Sequence, residues 1–397
     1  MGRFHDALAE PGLRFVAEVK RRSPSAGDLR PDADPAALAR AFAAAGAAAV
    51  SILVDERFAG SWADLRAARA AAGLPLLAKG FFSTREHLAE AKAAGADAAL
   101  LILRDLDDAT ATRLIGEAGE LGLDALVETH TGEELERAER LGAAVIGVNA
   151  RDLSSFAIDR RAQLELVARA PRDRIVVAES AVWSRAQGAE AELAGADAVL
   201  VGSALMRAAD PAAKLAELLA RPLVKVCGLT REEDVAAAAE AGADLAGFVL
   251  AESPRRAPGI LTVPDTMLSV GVFVGRADEV GADLVQLYPE ENGHRAPEGA
   301  LLRAGQEVAR VVDLPWLAED PEHWERATGV AGRVLLAGGL GPENVAAAIE
   351  AVRPWAVDAS RSLELEPGIK DHERVRAFVA AARAAGAALD QAERIAY

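Results

Sequence analysis

Three carboxylates and three cations stand at the ends of short apolar runs in the first half of the chain: Glu18, Glu128 and Glu179, with Lys20, Lys79 and Arg151. Gathered into one partly desolvated site, such groups push each other's pKa values apart, so that one serves as acid and another as base near neutral pH. Asn149 ends a further run and adds an amide. Ser180-Ala181 and Gly202-Ser203 follow the last two runs of this half. Small residues in those places leave backbone N–H groups open to a phosphate. A phosphate site beside lysines implies a phosphorylated substrate. In the second half, KVCGLT places the only cysteine, Cys227, at a strand end beside Gly228. A lone cysteine is more often inert and buried, yet near positive charge its thiolate is a base or nucleophile. For the charged cluster, a self-satisfying ring of ion pairs is the competing reading.

The elements that must position these groups start with FVAEVKRRSPSAGDL, Phe15 to Leu29. Its alternation puts Val16, Glu18 and Lys20 on one strand face and Phe15, Ala17 and Val19 on the other. Pro24 cannot donate to a ladder, so the chain must leave the sheet there; by itself this stretch also fits an edge strand with solvated charges. Eight such strands are read in the first half: FVAEVK, AAVSILV, LPLLAKGF, AALLIL, DALVET, AVIGVN, RIVVAES and AVLVG. Alanine-rich helical segments return to strands through Gly46, Gly95, Gly142, Gly195, Gly242 and Gly281, each suited to a left-handed helix end. Eight βα units in roughly 220 residues fit a (β/α)8 TIM barrel, whose strand ends meet at one mouth. A doubly wound sheet would scatter the same polar ends, Ser51 and Asp55 among them, along a crevice.

After a helix near Pro211, Arg221-Pro222 opens a second strand series, so the division expected is 1–220 and 222–397. The second series falls short of the roughly 200 residues of a full barrel. ALLRAGQEVARVVD, Ala300 to Asp313, reads as a hairpin where a crossover helix belongs. The fold class is therefore α/β, two tandem barrels, the second trimmed by about one βα module.

A 51% hydrophobic content suits large cores, and a net charge of −17 opposes nucleic acid and anionic membranes as partners. The first residues, MGRFHDALAEPG, hold no signal-peptide core, so a cytoplasmic, monomeric protein is expected. One cysteine precludes an internal disulfide, and six scattered histidines give no metal-site spacing.

EVKRRSPSAGDL, LLAKGFF, ALVETHT, IGVNARDL, VVAESAVW and AVLVGSALM, in this order over about residues 13 to 220, resemble the motif series of the indole-3-glycerol phosphate synthases. The resemblance implies ring closure of a carboxyphenylamino deoxyribulose phosphate with loss of carbon dioxide and water, and no cofactor. It makes Lys79 the general acid on the ketone and Glu128 the residue that assists dehydration, with Glu18, Asn149 and Glu179 in support. Lys20, Ser23, Gly202 and Ser203 would hold substrate and phosphate, beside Arg151 and Ser180. Gly80 stands where that family has an acid, and Ala181 where it has glycine.

KVCGLTREEDV, ESPRRA, VGVFV, VQL, LLAGGLGPENV, AVDASRSLE and PGIKD, over about residues 222 to 385, resemble the phosphoribosylanthranilate isomerases. By that resemblance Cys227 is the base at C2 of the sugar and Arg255 binds the anthranilate carboxylate; at a strand end beside Gly228, the thiol would be activated by Arg255 and the phosphate-site backbone dipoles. Asp313 is the acid that opens the ring, with Asp358 the second candidate, and Gly338, Gly339 and Ser360 bind phosphate. Tyr288 replaces the usual histidine after VQL, and LPWLAEDPEHW replaces a glycine-rich segment. The joint reading is two successive steps of tryptophan biosynthesis on phosphorylated anthranilate sugars. A synthase with a non-catalytic second half, and an unrelated phosphosugar barrel, are the alternatives.

Overall fold

The structure, a computed structural model, describes residues 2–24, 26–151, 157–291, 294–314, 320 and 322–396. The chain divides into two compact units, Met1–Trp183 with Gly188–Leu219, and Ser184–Gln187 with Ala220–Tyr397. In the first, eight strands close a barrel: β1 (Arg14–Val19), β2 (Ala49–Leu53), β3 (Leu76–Lys79), β4 (Ala98–Ile102), β5 (Asp124–Thr129), β6 (Val145–Asn149), β7 (Ile175–Glu179) and β8 (Ala198–Val201). All neighbouring pairs are parallel, which obliges each connection to cross over the sheet. Helices supply those crossovers, and several start at a side-chain cap: Asp34, Ser61, Thr84, Asp107, Thr131 and Asp159 each accept a first-turn N–H.

Strand alternation sorts this barrel into two cores. Phe15, Ala17 and Val19 face the helices in one, while Val16, Leu77, Leu126, Val177 and Leu200 fill the inside in the other. The inner plug includes Phe4 and Leu8 of the helix Arg3–Leu8, both fully buried. Asp124 anchors that helix, its carboxylate accepting the N–H groups of Gly2, Phe4 and His5 at 2.8, 3.1 and 3.0 Å. Two residues beyond Val16, Leu77, Leu126 and Val177, on the same inner face, come Glu18, Lys79, Glu128 and Glu179. The apolar plug thus ends where the polar mouth begins.

The second unit closes a barrel from β9 (Leu223–Cys227), β10 (Leu245–Val249), β11 (Leu268–Val274), β12 (Leu284–Tyr288), β13 (Glu298–Arg303), β14 (Gln306–Val312), β15 (Val334–Leu336) and β16 (Ala356–Ala359). The expected hairpin is β13 and β14, joined through Ala304 and Gly305 at φ 48° and 78°. Two left-handed residues match the twist of the strands they join. β13 runs antiparallel to both neighbours, and by filling one place in the sheet it keeps the strand number at eight. What is trimmed is therefore the helical layer: residues 250–267 and 275–283 hold no α-helix. Gly242 ends a helix in the left-handed region as expected, whereas Gly281, also left-handed, follows none. Most of LPWLAEDPEHW, at 315–319 and 321, lies outside the described residues. The closing helix, expected near Asp371 to Ala385, spans His372–Ala396. Among the described residues, no helix is long and apolar enough to cross a membrane.

Candidate active site

The mouth of the first barrel opens into a cavity lined by Glu18, Lys20, Ser23, Lys79, Asn149, Arg151, Ser180, Gly202 and Ser203. Glu128 and Glu179 lie deeper, 2% and 0% exposed. Lys79 joins the two levels: its Nζ lies 2.7 Å from Glu179 Oε2 and 3.4 Å from Glu18 Oε2, and Glu18 Oε1 is 2.7 Å from Lys20 Nζ. Burial works against the Lys79 charge, but Glu179, Glu18 and Glu128 outweigh it and hold the ammonium well above its usual range. Burial likewise opposes ionisation of Glu18, yet Lys20 and Lys79 pull its carboxyl down to about 2. Glu179 goes the other way, because burial and the Glu128 charge together exceed the pull of Lys79. Among the described residues its Oε1 has no hydrogen-bond partner. The mouth therefore holds a firm cation, one carboxyl pulled below its usual range and another pushed above it, the separation that acid–base chemistry needs.

Two glycines make this crowding possible. A Cβ at Gly147 would overlap Glu179 Oε1, and one at Gly202 would overlap Glu18 Oε1. Asn149 Oδ1 accepts from the Ser180 hydroxyl at 2.9 Å and from the Arg151 N–H at 3.0 Å. Ser180 and Ala181 are both left-handed, at φ 71° and 60°. That explains why the resembling family has glycine at the second position, and for alanine the cost is on the order of 1 kcal/mol. The rim carries an apolar wall that the sequence did not announce. Phe58 and Phe81 stack with centroids 6.4 Å apart, and the Arg57 guanidinium lies 3.7 Å over Phe81. Phe81, Ile158 and Trp183 line the same cavity and stay partly exposed, an apolar seat for a flat ring.

The mouth of the second barrel gathers Cys227, Arg255, Asp313, Gly338, Gly339, Asp358 and Ser360 around one cavity. Lys225, fully buried and two residues before Cys227 on β9, donates to Asp358 Oδ2 at 2.7 Å. A Cβ at Gly247 would lie 2.8 Å from Cys227 Sγ and 2.9 Å from Lys225 Nζ, so the bare glycine brings thiol and ammonium together. Lys225 is thus the cation nearest the thiol, where the sequence reading named Arg255. Arg255 Nε is engaged by Glu364 at 2.9 Å, and Glu364 also takes Lys370 at 2.9 Å. Burial pushes the Cys227 thiol up, Lys225 pulls it back, and Asp358 adds to the rise. Burial raises Asp358 as well, against the pull of Lys225. Among the described residues, Asp358 Oδ1 and Ser360 Oγ are buried without a hydrogen-bond partner, as groups awaiting a ligand are. Asp313 is met by the Tyr288 hydroxyl at 2.8 Å, Arg295 Nη1 at 2.6 Å and the Leu314 N–H at 2.7 Å. Arg295 also lies 4.3 Å over the Tyr288 ring.

Sequence reasoning missed Lys225, Arg295 and Glu364. Lys225 was within reach, since the i, i+2 rule that paired Glu18 with Lys20 pairs it with Cys227.

The indole-3-glycerol phosphate synthase family model matches residues 2–218, and the N-(5'phosphoribosyl)anthranilate isomerase model matches residues 321–381. An indole-3-glycerol phosphate synthase of Nocardioides sp. is 52% identical over 201 residues, 50% of this chain and 77% of that protein. One of Leifsonia xyli is 50% identical over 214 residues, 53% of this chain and 82% of that protein. A multifunctional tryptophan biosynthesis protein of Schizosaccharomyces pombe is 32% identical in an alignment covering 96% of this chain and 61% of that protein. The chain belongs to the indole-3-glycerol phosphate synthase family, and its second unit carries the isomerase match at residues 321–381, the pairing of a fused enzyme for two sequential reactions of tryptophan biosynthesis.

Proposed function

We infer that each mouth works with the residues the sequence singled out, and that the product of the second barrel is the substrate of the first. The observation that carries this is the first mouth itself: an ammonium braced by Glu18 and Glu179, with Ser180, Gly202 and Ser203 on one side of the cavity and an aromatic wall at its rim.

In the second barrel, Asp313 gives a proton to the ring oxygen of the aminoaldose as its C1–O bond breaks. Cys227 then takes the proton from C2, and the resulting enolamine becomes the C2 ketone. Nothing is added or lost, as an isomerisation requires. Ser360, Gly338 and Gly339 receive the phosphate end of the sugar, Arg255 the anthranilate side, and Asp358 faces the substrate between them.

In the first barrel the aromatic carbon bearing the carboxylate attacks that ketone. Charge builds on its oxygen, where the Lys79 ammonium stabilises it and supplies the proton. Carbon dioxide leaves with its bonding electrons returned to the ring, and the new hydroxyl then departs as water. Glu128 assists that last proton transfer, with Glu18, Asn149 and Glu179 fixing the charges around it. Lys20, Ser23, Arg151, Ser180, Gly202 and Ser203 bind the substrate and its phosphate. Residues 1–220 carry the synthase and 222–397 the isomerase. The reading takes a monomer in the cytoplasmic setting expected from the sequence.

The shared compound gives a direct test. Carboxyphenylamino deoxyribulose phosphate with its ketone reduced to an alcohol cannot react in either direction. Titration calorimetry should find two sites per chain, one of them lost in Lys79→Glu and the other in Ser360→Glu. A single site in the unsubstituted chain would overturn the shared-ligand reading.

A further inference from the structure

His130 follows Glu128 by two residues and so points from the same inner face of the barrel. Its side chain is 8% exposed. Nε2 lies 3.3 Å from Glu128 Oε1, and Nδ1 lies 3.4 Å from an oxygen of Glu134, in the first turn of the helix Gly132–Arg140. Among the described residues neither ring nitrogen makes a hydrogen bond of good geometry, so charge holds the three groups together. A neutral imidazole has one donor and one acceptor nitrogen. It would therefore turn a lone pair toward one of the two carboxylates, and only the imidazolium suits both. Glu134 is itself fixed, accepting the His130 backbone N–H at 2.7 Å.

The mouth also needs this charge. Glu18 is served by Lys20 and Lys79, and Glu179 by Lys79. Glu128 has His130 as its contacting cation. We propose that His130 is a positioning residue for the synthase, an imidazolium clamped between Glu134 and Glu128 that holds Glu128 in place as a carboxylate. This rests on the role given to Glu128 above.

The charges around the trio agree with it. Lys79 at the end of β3 and Glu179 at the end of β7 act on Glu128, and Arg104, in the turn after β4, acts on Glu134. Burial alone would discharge His130, but Glu128 and Glu134 outweigh it and raise the imidazole to about 9. Burial would raise Glu128, yet His130 and Lys79 hold it below its usual value.

The test is the pH dependence of synthase turnover in His130→Gln, beside Glu128→Gln and unsubstituted enzyme. Without the imidazolium Glu128 binds its proton more tightly, so the acid limb of kcat should move up by about one unit or more. Turnover should fall on that displaced acid limb and recover at higher pH, with KM changed less than about twofold. Glu134→Gln should move the limb the same way by less. A loss uniform across pH, or an unchanged profile, overturns the proposal. Should His130→Gln fail to fold, nitrogen NMR of the unsubstituted protein decides: both ring nitrogens protonated at pH 7.5 supports it, a neutral tautomer refutes it. Normal turnover in Glu128→Gln would remove the underlying role of Glu128. An impaired Glu128→Gln, accumulating an undehydrated species, with an unshifted His130→Gln would remove only this inference.

Discussion

Lys79→Ala is expected to lower synthase turnover by a factor on the order of 10² or more. Its ammonium is the group held in place by two carboxylates, at 2.7 and 3.4 Å, within the cavity where the ketone must sit. Ring closure turns that ketone oxygen into an alkoxide, and a preorganised ammonium stabilises it at no further cost in reorganisation. Substrate affinity should change far less, because phosphate and ring are held by other parts of the mouth. Single-turnover kinetics with the carboxyphenylamino deoxyribulose phosphate separates the two effects. Decay of phosphoribosylanthranilate by the other barrel is the internal control and should be unaltered. Turnover within a few-fold of normal would show that Lys79 is only a member of an ion-pair ring.

The second large effect concerns the isomerase half. Cys227→Ala and Asp313→Asn should each slow phosphoribosylanthranilate decay by on the order of 10² to 10⁴, as loss of a general base or acid does. Since burial raises the Cys227 thiol above its usual value, kcat/KM should climb with pH between 7 and 9 as thiolate forms. The synthase reaction, assayed on its own substrate, should be untouched. Asp358 competes for the role of acid, because burial raises it and its Oδ1 lacks a partner. An unaffected Asp313→Asn together with an inactive Asp358→Asn would move the acid to Asp358. Full activity in Cys227→Ala would end its role as base.

Much of this was legible because strand alternation and chemistry have the same period. Once FVAEVK is a strand with Phe15, Ala17 and Val19 against helices, Glu18 can only face inward. The same step of two locates Lys79, Glu128 and Glu179, and it would have located His130 and Lys225 had it been taken one position further. Other features are set by tertiary packing. Glu364 reaches Arg255 from 109 residues away, and Arg295 reaches Asp313 from a short antiparallel ribbon beyond β12. No local pattern fixes where such side chains meet. The hairpin after β12 was visible in Ala304-Gly305, but not that its first strand would complete the sheet. Pairing partners are a property of the closed barrel, not of the segment. The helix Arg3–Leu8 escaped notice because six residues are too few to show a period, and its place depends on Asp124, far along the chain.

The central claim is that one polypeptide carries two working mouths, and purified protein assayed for each reaction separately tests it most directly. Phosphoribosylanthranilate fluorescence should decay well above its rate in buffer, and carboxyphenylamino deoxyribulose phosphate supplied alone should be converted to indole-3-glycerol phosphate. Decay no faster than in buffer, with the second conversion intact, would contradict the account and leave a synthase joined to an inactive barrel.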